Sequence, residues 1–146
     1  MHPTPSPTAF RRPRQIRFSD CDPAGIVFYP QYFVMFNDLV EQWVDEELGM
    51  GYRSLILDRK VGLPTVRVEA DFRAVSHMGD AVTLSLSVER LGGRSLTLNL
   101  HCQGADGVIR MHMRQVIVTT SLVTMHAIDI PSDLRAAIER ACGAAG

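Results

Sequence analysis

The sequence predicts an α+β domain in which an antiparallel sheet wraps around one long helix, and three observations carry that expectation. Phe33, Phe36, Val40, Trp43 and Val44 recur at spacings of three and four, with Leu39 and Leu48 widening the apolar surface, which is the pattern of a largely buried helix. After Gly62 the period changes to two. Val66, Val68, Ala70 and Phe72 alternate with charged residues, Val82, Leu84, Leu86 and Val88 with Thr83, Ser85, Ser87 and Glu89, and Leu96, Leu98 and Leu100 with Thr97, Asn99 and His101. Such alternation marks half-buried antiparallel strands. Thirdly, His77-Met78-Gly79-Asp80, Leu91-Gly92-Gly93-Arg94 and Gly104-Ala105-Asp106-Gly107 punctuate those strands as turns or hairpins.

Each element follows in order. Residues 1–13 are rich in Pro, Ser and Thr without periodicity and are expected to form a flexible tail, with Arg14 to Phe18 a first strand. Pro30 suits a first helical turn, where its missing N–H would have had no partner. Gly49-Met50-Gly51 closes that helix, and Tyr52 to Lys60 reads as a short second helix or turn. A last long strand, Val108 to Thr120, shifts its apolar phase between Met113 and Val116, as a β-bulge would make it do. Pro131 to Cys142 is an amphipathic helix with Ser132 as its cap, and a single domain over residues 14–142 is expected.

A chain of 146 residues with 46% hydrophobic content fits one globular domain with a real core. The net charge of −1 argues against nucleic acid or an anionic membrane surface as the main partner. No apolar run approaches membrane-spanning length, and residues 1–15 lack the apolar stretch of a signal peptide, so a cytoplasmic protein is expected. Cys21, Cys102 and Cys142 are odd in number and widely spaced, which reads as reduced thiols. His101 and Cys102 point to opposite faces of a strand and make no metal site.

The chemistry is expected in Asp20-Cys21-Asp22-Pro23-Ala24-Gly25-Ile26-Val27-Phe28-Tyr29-Pro30-Gln31-Tyr32. If the helix starts at Pro30, the N–H groups around Tyr29 to Tyr32 lie at the positive end of its dipole and can stabilise an oxygen that is gaining charge. Asp22 leads a Pro-Ala-Gly turn that can fold its carboxylate back beside those amides, either to attack a carbonyl or to activate water. Gly25 gives the loop conformational freedom. Asp20 and Asp22 are also ordinary turn formers and dipole partners, and spacing alone does not separate the two roles. Cys21 has no nearby His to act as its base and is assigned a structural part. No Gly-x-Ser-x-Gly elbow and no phosphate-binding loop occurs, and the glycines after the helix lack the context of a dinucleotide site.

The run Phe18 to Pro30 resembles the signature of the hotdog-fold acyl-CoA thioesterases, in particular the 4-hydroxybenzoyl-CoA thioesterase branch. That resemblance implies a hotdog fold over roughly residues 14–131, with Asp22 as the catalytic carboxylate and the Tyr29 N–H polarising the thioester carbonyl. Asp20 matches the motif's first, non-catalytic Asp. Many relatives carry His after the aromatic residue, whereas this chain has Pro30, as the aryl-CoA branch does. Some hotdog enzymes place their carboxylate within the helix, which makes Glu41 the fallback. Gly25, Ile26 and Val27 are expected to contact substrate, and Arg90, Arg94 and Ser95, at the turn that lies near the nucleotide in the family, to contact coenzyme A. Guanidinium groups suit its phosphates, and Lys60 is the only lysine in the chain.

The activity expected is therefore hydrolysis of an aromatic or medium-size acyl-CoA to the free acid and CoA, with no metal or redox cofactor. A single hotdog sheet leaves one face bare, so a homodimer or homotetramer is expected, and the family's dimers build each active site from both subunits. The alternatives are a non-catalytic acyl-CoA-binding or sensing hotdog module and an acyl-carrier-protein thioesterase.

Overall fold

The computed structural model of the chain describes residues 3–145. Five strands, β1 (Phe10–Gln15), β3 (Thr65–Phe72), β4 (Ala81–Leu91), β5 (Ser95–Gly104) and β6 (Ile109–Val118), form one antiparallel sheet in the order β1-β4-β5-β6-β3. Two short strands, β2 (Val61–Gly62) and β7 (Thr120–Ser121), pair as a separate ribbon. The long helix α1 (Pro30–Gln42) continues through a wider turn over Trp43–Glu47, and a second helix, α2 (Ser132–Ala145), ends the described chain. Gly49 closes the first helix at φ +65°, and Ser54–Asp58 makes one further helical turn. No helix of the described residues is long and apolar enough to cross a membrane.

The period-two residues fall on one sheet face as expected. Leu84 stands opposite Cys102, Leu86 opposite Leu100, Leu100 opposite Met113 and Cys102 opposite Met111, and all of them share one core with Met35, Phe36, Leu39 and Val40 of α1. Full burial of each such side chain contributes about 1.5–3 kcal/mol.

Three expectations need correcting. The first strand is Phe10–Gln15, not Arg14 to Phe18, so residues 10–13 belong to the sheet; Met1 and His2 of the expected tail lie outside the described residues. Pro13 hid that strand. β1 is an edge strand with a neighbour on one side only, where a residue without an N–H does little harm. Phe18–Asp20 is instead a single 3₁₀ turn. Finally, β6 keeps unbroken register with β5 from Met111 to Val118; its own irregularity lies earlier, at Arg110, and β3 carries another between Thr65 and Arg67. The apolar phase of β6 breaks because a polar residue, Gln115, occupies a core-facing position opposite Leu98, where its amide donates to Thr65 Oγ1 at 2.7 Å.

The opposite sheet face is polar and tightly packed. Arg114 Nε meets Glu89 Oε2 at 2.6 Å, Asn99 donates to Glu89 Oε1 at 3.1 Å, and the His101 and His112 rings stack at 5.7 Å between centroids. The Arg114 guanidinium, helped by Asn99, holds the Glu89 carboxyl below its usual range, while burial, opposed by Asp71, pushes the His112 imidazole down.

One ion pair ties the strand-to-helix connection together. Asp20 is 3% exposed, and its two carboxylate oxygens accept from Arg14 Nη2 at 3.0 Å and from the Arg17 N–H at 2.9 Å, while its carbonyl accepts the Phe28 N–H at 3.0 Å. Asp20→Ala is expected to lower unfolding free energy by about 2–3 kcal/mol in urea titrations, since removing one partner leaves the other charge uncompensated.

The polar face sets the pH dependence of stability. A histidine with a depressed folded pKa refuses a proton that the unfolded chain accepts, so stability is full above the unfolded value of 6.5 and is lost as pH falls below it. Glu89 acts in the same direction below its ordinary 4.5, where protonation dissolves its pair with Arg114. Urea midpoints are expected to hold level between about pH 6.5 and about pH 8 and decline below that range, and His112→Asn should flatten the first part of that decline.

Candidate active site

Residues Cys21 to Val27 form a tight loop closed by a bridge between its ends. The Asp22 N–H donates to the Ile26 carbonyl at 2.9 Å, the Gly25 N–H returns to the Asp22 carbonyl at 2.9 Å, and Gly25 takes φ +77°, a conformation that only glycine adopts without strain. Inside the loop, Asp22 Oδ1 accepts the Ala24 N–H at 2.8 Å. This fixes the carboxylate in an Asx turn. Its other oxygen has no hydrogen-bond partner among the described residues, and the side chain is half-buried.

The loop is held from outside by the connection between β3 and β4. Val27 donates to the Ser76 carbonyl at 3.0 Å, Met78 donates to the Gly25 carbonyl at 2.9 Å, and Ile26 bridges to His77. Ser76 is fully buried, and its hydroxyl meets the Tyr32 hydroxyl of α1 at 2.9 Å. Arg110 of β6 fastens the same connection, with Nη1 donating to the Val75 carbonyl at 2.7 Å and its own carbonyl accepting the Arg73 and Ala74 N–H groups. Neither Ser76 nor Arg110 carries a signal in sequence, because each acts through a contact between segments far apart in the chain.

At the helix start the backbone donors are accounted for one by one. Phe28 bonds Asp20, Gln31 bonds Phe28, Tyr32 bonds Tyr29, and Pro30 has no N–H. Among the described residues the Tyr29 N–H has no acceptor, and it lies at the positive end of the α1 dipole. A free carboxylate oxygen and a free, dipole-backed N–H therefore flank the same loop. Groups of these two kinds are what acyl transfer uses, an N–H to hold a carbonyl oxygen and a carboxylate to attack its carbon or activate water.

The other sequence candidates fall elsewhere. Cys21 Sγ donates to the Arg17 carbonyl at 3.4 Å, and burial, then the Asp20 and Asp22 carboxylates, push its thiol pKa up, which disfavours the nucleophilic thiolate. Glu41 is exposed and lies eleven residues beyond Pro30, about 16 Å along the helix. Arg90, Arg94 and Ser95 sit around the β4–β5 turn, at the far end of strands that begin beside the Asp22 loop, about 30 Å away within one chain. There Arg94 pairs with Asp129 at 3.0 Å, the Ser95 carbonyl accepts the Gly92 N–H, and Arg90 is exposed. Among the described residues no three His, Cys, Asp or Glu side chains converge as metal ligands.

The chain is 32% identical over 92 residues to 1,4-dihydroxy-2-naphthoyl-CoA hydrolase of Prochlorococcus marinus strain MIT 9303, a match covering 59% of this chain and 61% of that protein. Matches to the first few such hydrolases span only about three-fifths of those relatives' length. The 4-hydroxybenzoyl-CoA thioesterase of Pseudomonas sp. strain CBS-3 is 26% identical over 135 residues, covering 82% of this chain and 90% of that one. The solved structure of BH1999 gentisyl-coenzyme A thioesterase superposes with a TM-score of 0.78 at 28% identity, covering 86% of this chain and 99% of that one. The family model of the thioesterase-like superfamily matches residues 16–138, and with the hotdog arrangement of sheet and helix already in view, the chain belongs to that superfamily.

Proposed function

We propose that the protein is a thioester hydrolase that cleaves an aromatic acyl-CoA to the free acid and CoA, with Asp22 as the catalytic carboxylate and the Tyr29 N–H as the oxyanion donor. The observation that supports this reading is that, among the described residues, one Asp22 carboxylate oxygen in the loop has no partner and the Tyr29 N–H, two residues past the loop at the helix start, has no acceptor. In the reaction the thioester carbonyl oxygen takes the Tyr29 N–H, and Asp22 either attacks the carbonyl carbon or removes a proton from the water that does. The C–S bond breaks, the sulfur leaves as the CoA thiolate and takes a proton, and the acyl group ends as a carboxylate. On the nucleophilic route a mixed anhydride with Asp22 forms first, and water opens it. The aromatic class is favoured by Pro30 after Tyr29 and by the names of the relatives, which act on dihydroxynaphthoyl, 4-hydroxybenzoyl and gentisyl thioesters.

The same reading includes a homodimer paired through β3. That strand is a sheet edge eight residues long, with Val66 60% exposed and Phe72 50% exposed, an arrangement that invites pairing with another strand. Two copies related by a two-fold axis would pair antiparallel, so the Phe72 end of one β3 lies beside the Thr65 end of the other. The Thr65 end shares its end of the sheet with Leu96 and Leu91 and hence with the β4–β5 turn. Pairing of this kind turns Arg90, Arg94 and Ser95 of a second copy toward the site, where they could meet the nucleotide of an extended CoA.

Two outcomes test the reading. Asp22→Asn is expected to lower kcat for benzoyl-CoA by at least about 10²-fold with the fold intact, the usual loss for a missing acid–base group; wild-type binding without turnover would favour a sensing module instead. Val68→Arg, which places a charge on the exposed edge, is expected to shift the mass seen by light scattering from two chains to one.

A further inference from the structure

Phe72 is the last residue of β3, on the core-facing side of the sheet, yet it is 50% exposed. Three rings from the helix start converge on it. Tyr29 lies 5.8 Å away between centroids at an interplanar angle of 85°, Phe33 6.3 Å away at 82°, and Tyr32 6.1 Å away at 49°. Phe28 extends the cluster, 5.6 Å from Tyr29 at 68°. Tyr29 itself is 59% exposed and Phe28 49%. Large aromatic side chains left open in one contiguous cluster mark a binding surface.

The position of the cluster identifies its occupant. Tyr29 contributes both a ring to the cluster and the free N–H of the site, so an acyl group whose carbonyl oxygen rests on that N–H begins one residue from the rings. Asp22 and its loop, Cys21 to Val27, carry no aromatic ring, which leaves the cluster as the aromatic part of the site. A planar acyl group gains edge-to-face contacts that a saturated chain of equal area lacks.

We propose that Phe72 is the specificity-determining residue for the acyl group, completing with Tyr29 and Phe33 an aromatic seat for a planar ring. The assignment rests on the thioesterase reading above, and the experiment separates the two. Dissociation constants are measured for S-benzyl-CoA and S-heptyl-CoA, thioethers with the same carbon count that cannot be hydrolysed, on wild type, Phe72→Leu and Phe72→Tyr, with the mass of each variant from light scattering. Wild type is expected to prefer the benzyl ligand, Phe72→Leu to lose about three- to ten-fold of that preference by weakening benzyl binding alone, and Phe72→Tyr to keep it. An unchanged preference in Phe72→Leu overturns the proposal. So does an equal loss for both ligands accompanied by a change of mass, which would assign Phe72 to the contact between copies. Benzoyl-CoA turnover is assayed alongside: wild type that shows the ring preference but no turnover overturns the hydrolase reading and leaves the aromatic seat standing.

Discussion

Asp20 is the constraint on which the site depends. Its carboxylate is spent on Arg14 and on the Arg17 N–H, and its carbonyl takes the Phe28 N–H. Through those three bonds it fixes the end of β1, the 3₁₀ turn and the approach to α1 at once. At the helix start that follows, the Phe28, Gln31 and Tyr32 N–H groups are bonded and, among the described residues, the Tyr29 N–H is left without an acceptor. A carboxylate with both oxygens engaged and 3% exposure cannot also meet a substrate, so of the motif's two aspartates only Asp22 is available for the role proposed above. Asp20 builds the loop, and Asp22, two residues later, is left with one oxygen free.

The second determinant is the asymmetry of the sheet. α1 covers the middle strands β4 and β5, whose core-facing side chains are almost fully buried, while β3 at the rim keeps Val66, Val68 and Phe72 open. The strand most exposed is therefore the strand that ends beside Tyr29. An unpaired edge and an acyl-transfer loop meeting at one corner explain why assembly and substrate binding are coupled in the function proposed here. Nearby Ser76, Tyr32 and Arg110 form a rigid backing, so the loop can remain exposed without depending on its own few contacts for shape.

Much of this was legible in the sequence because it is encoded locally. Alternation of Val82 to Val88 and of Leu96 to Leu100 set the sheet faces, the spacing from Phe33 to Val44 set the helix, and Pro30 set where it starts. What escaped depended on position in the sheet. Pro13 argues against a strand unless β1 is known to be an edge, and Gln115 reads as a bulge unless Thr65 is known to stand ready to accept its amide. Phe72 read as one more core residue in an alternating run, and only the strand order reveals that the described residues leave it half open. Arg90 and Arg94 were nominated for phosphate by their chemistry alone, and their distance from Asp22 follows from strand direction, which one chain's residue pattern does not contain.

The free Tyr29 N–H illustrates how a fold can hold a reactive arrangement at small expense in stability. A donor without an acceptor costs about 1–3 kcal/mol where water is excluded and little where water reaches it, and Tyr29 as a residue is 59% exposed. The exchange of water for a neutral carbonyl is then nearly balanced, whereas exchange for an oxygen carrying developing charge gains from the helix dipole. On the reading proposed above, the donor discriminates between ground state and transition state without any movement of the protein. The same reasoning accounts for the open half of Phe72. A ring that faces water in the free protein loses little by waiting, and binding an aromatic acyl group removes apolar area from water on both partners just where the charge develops.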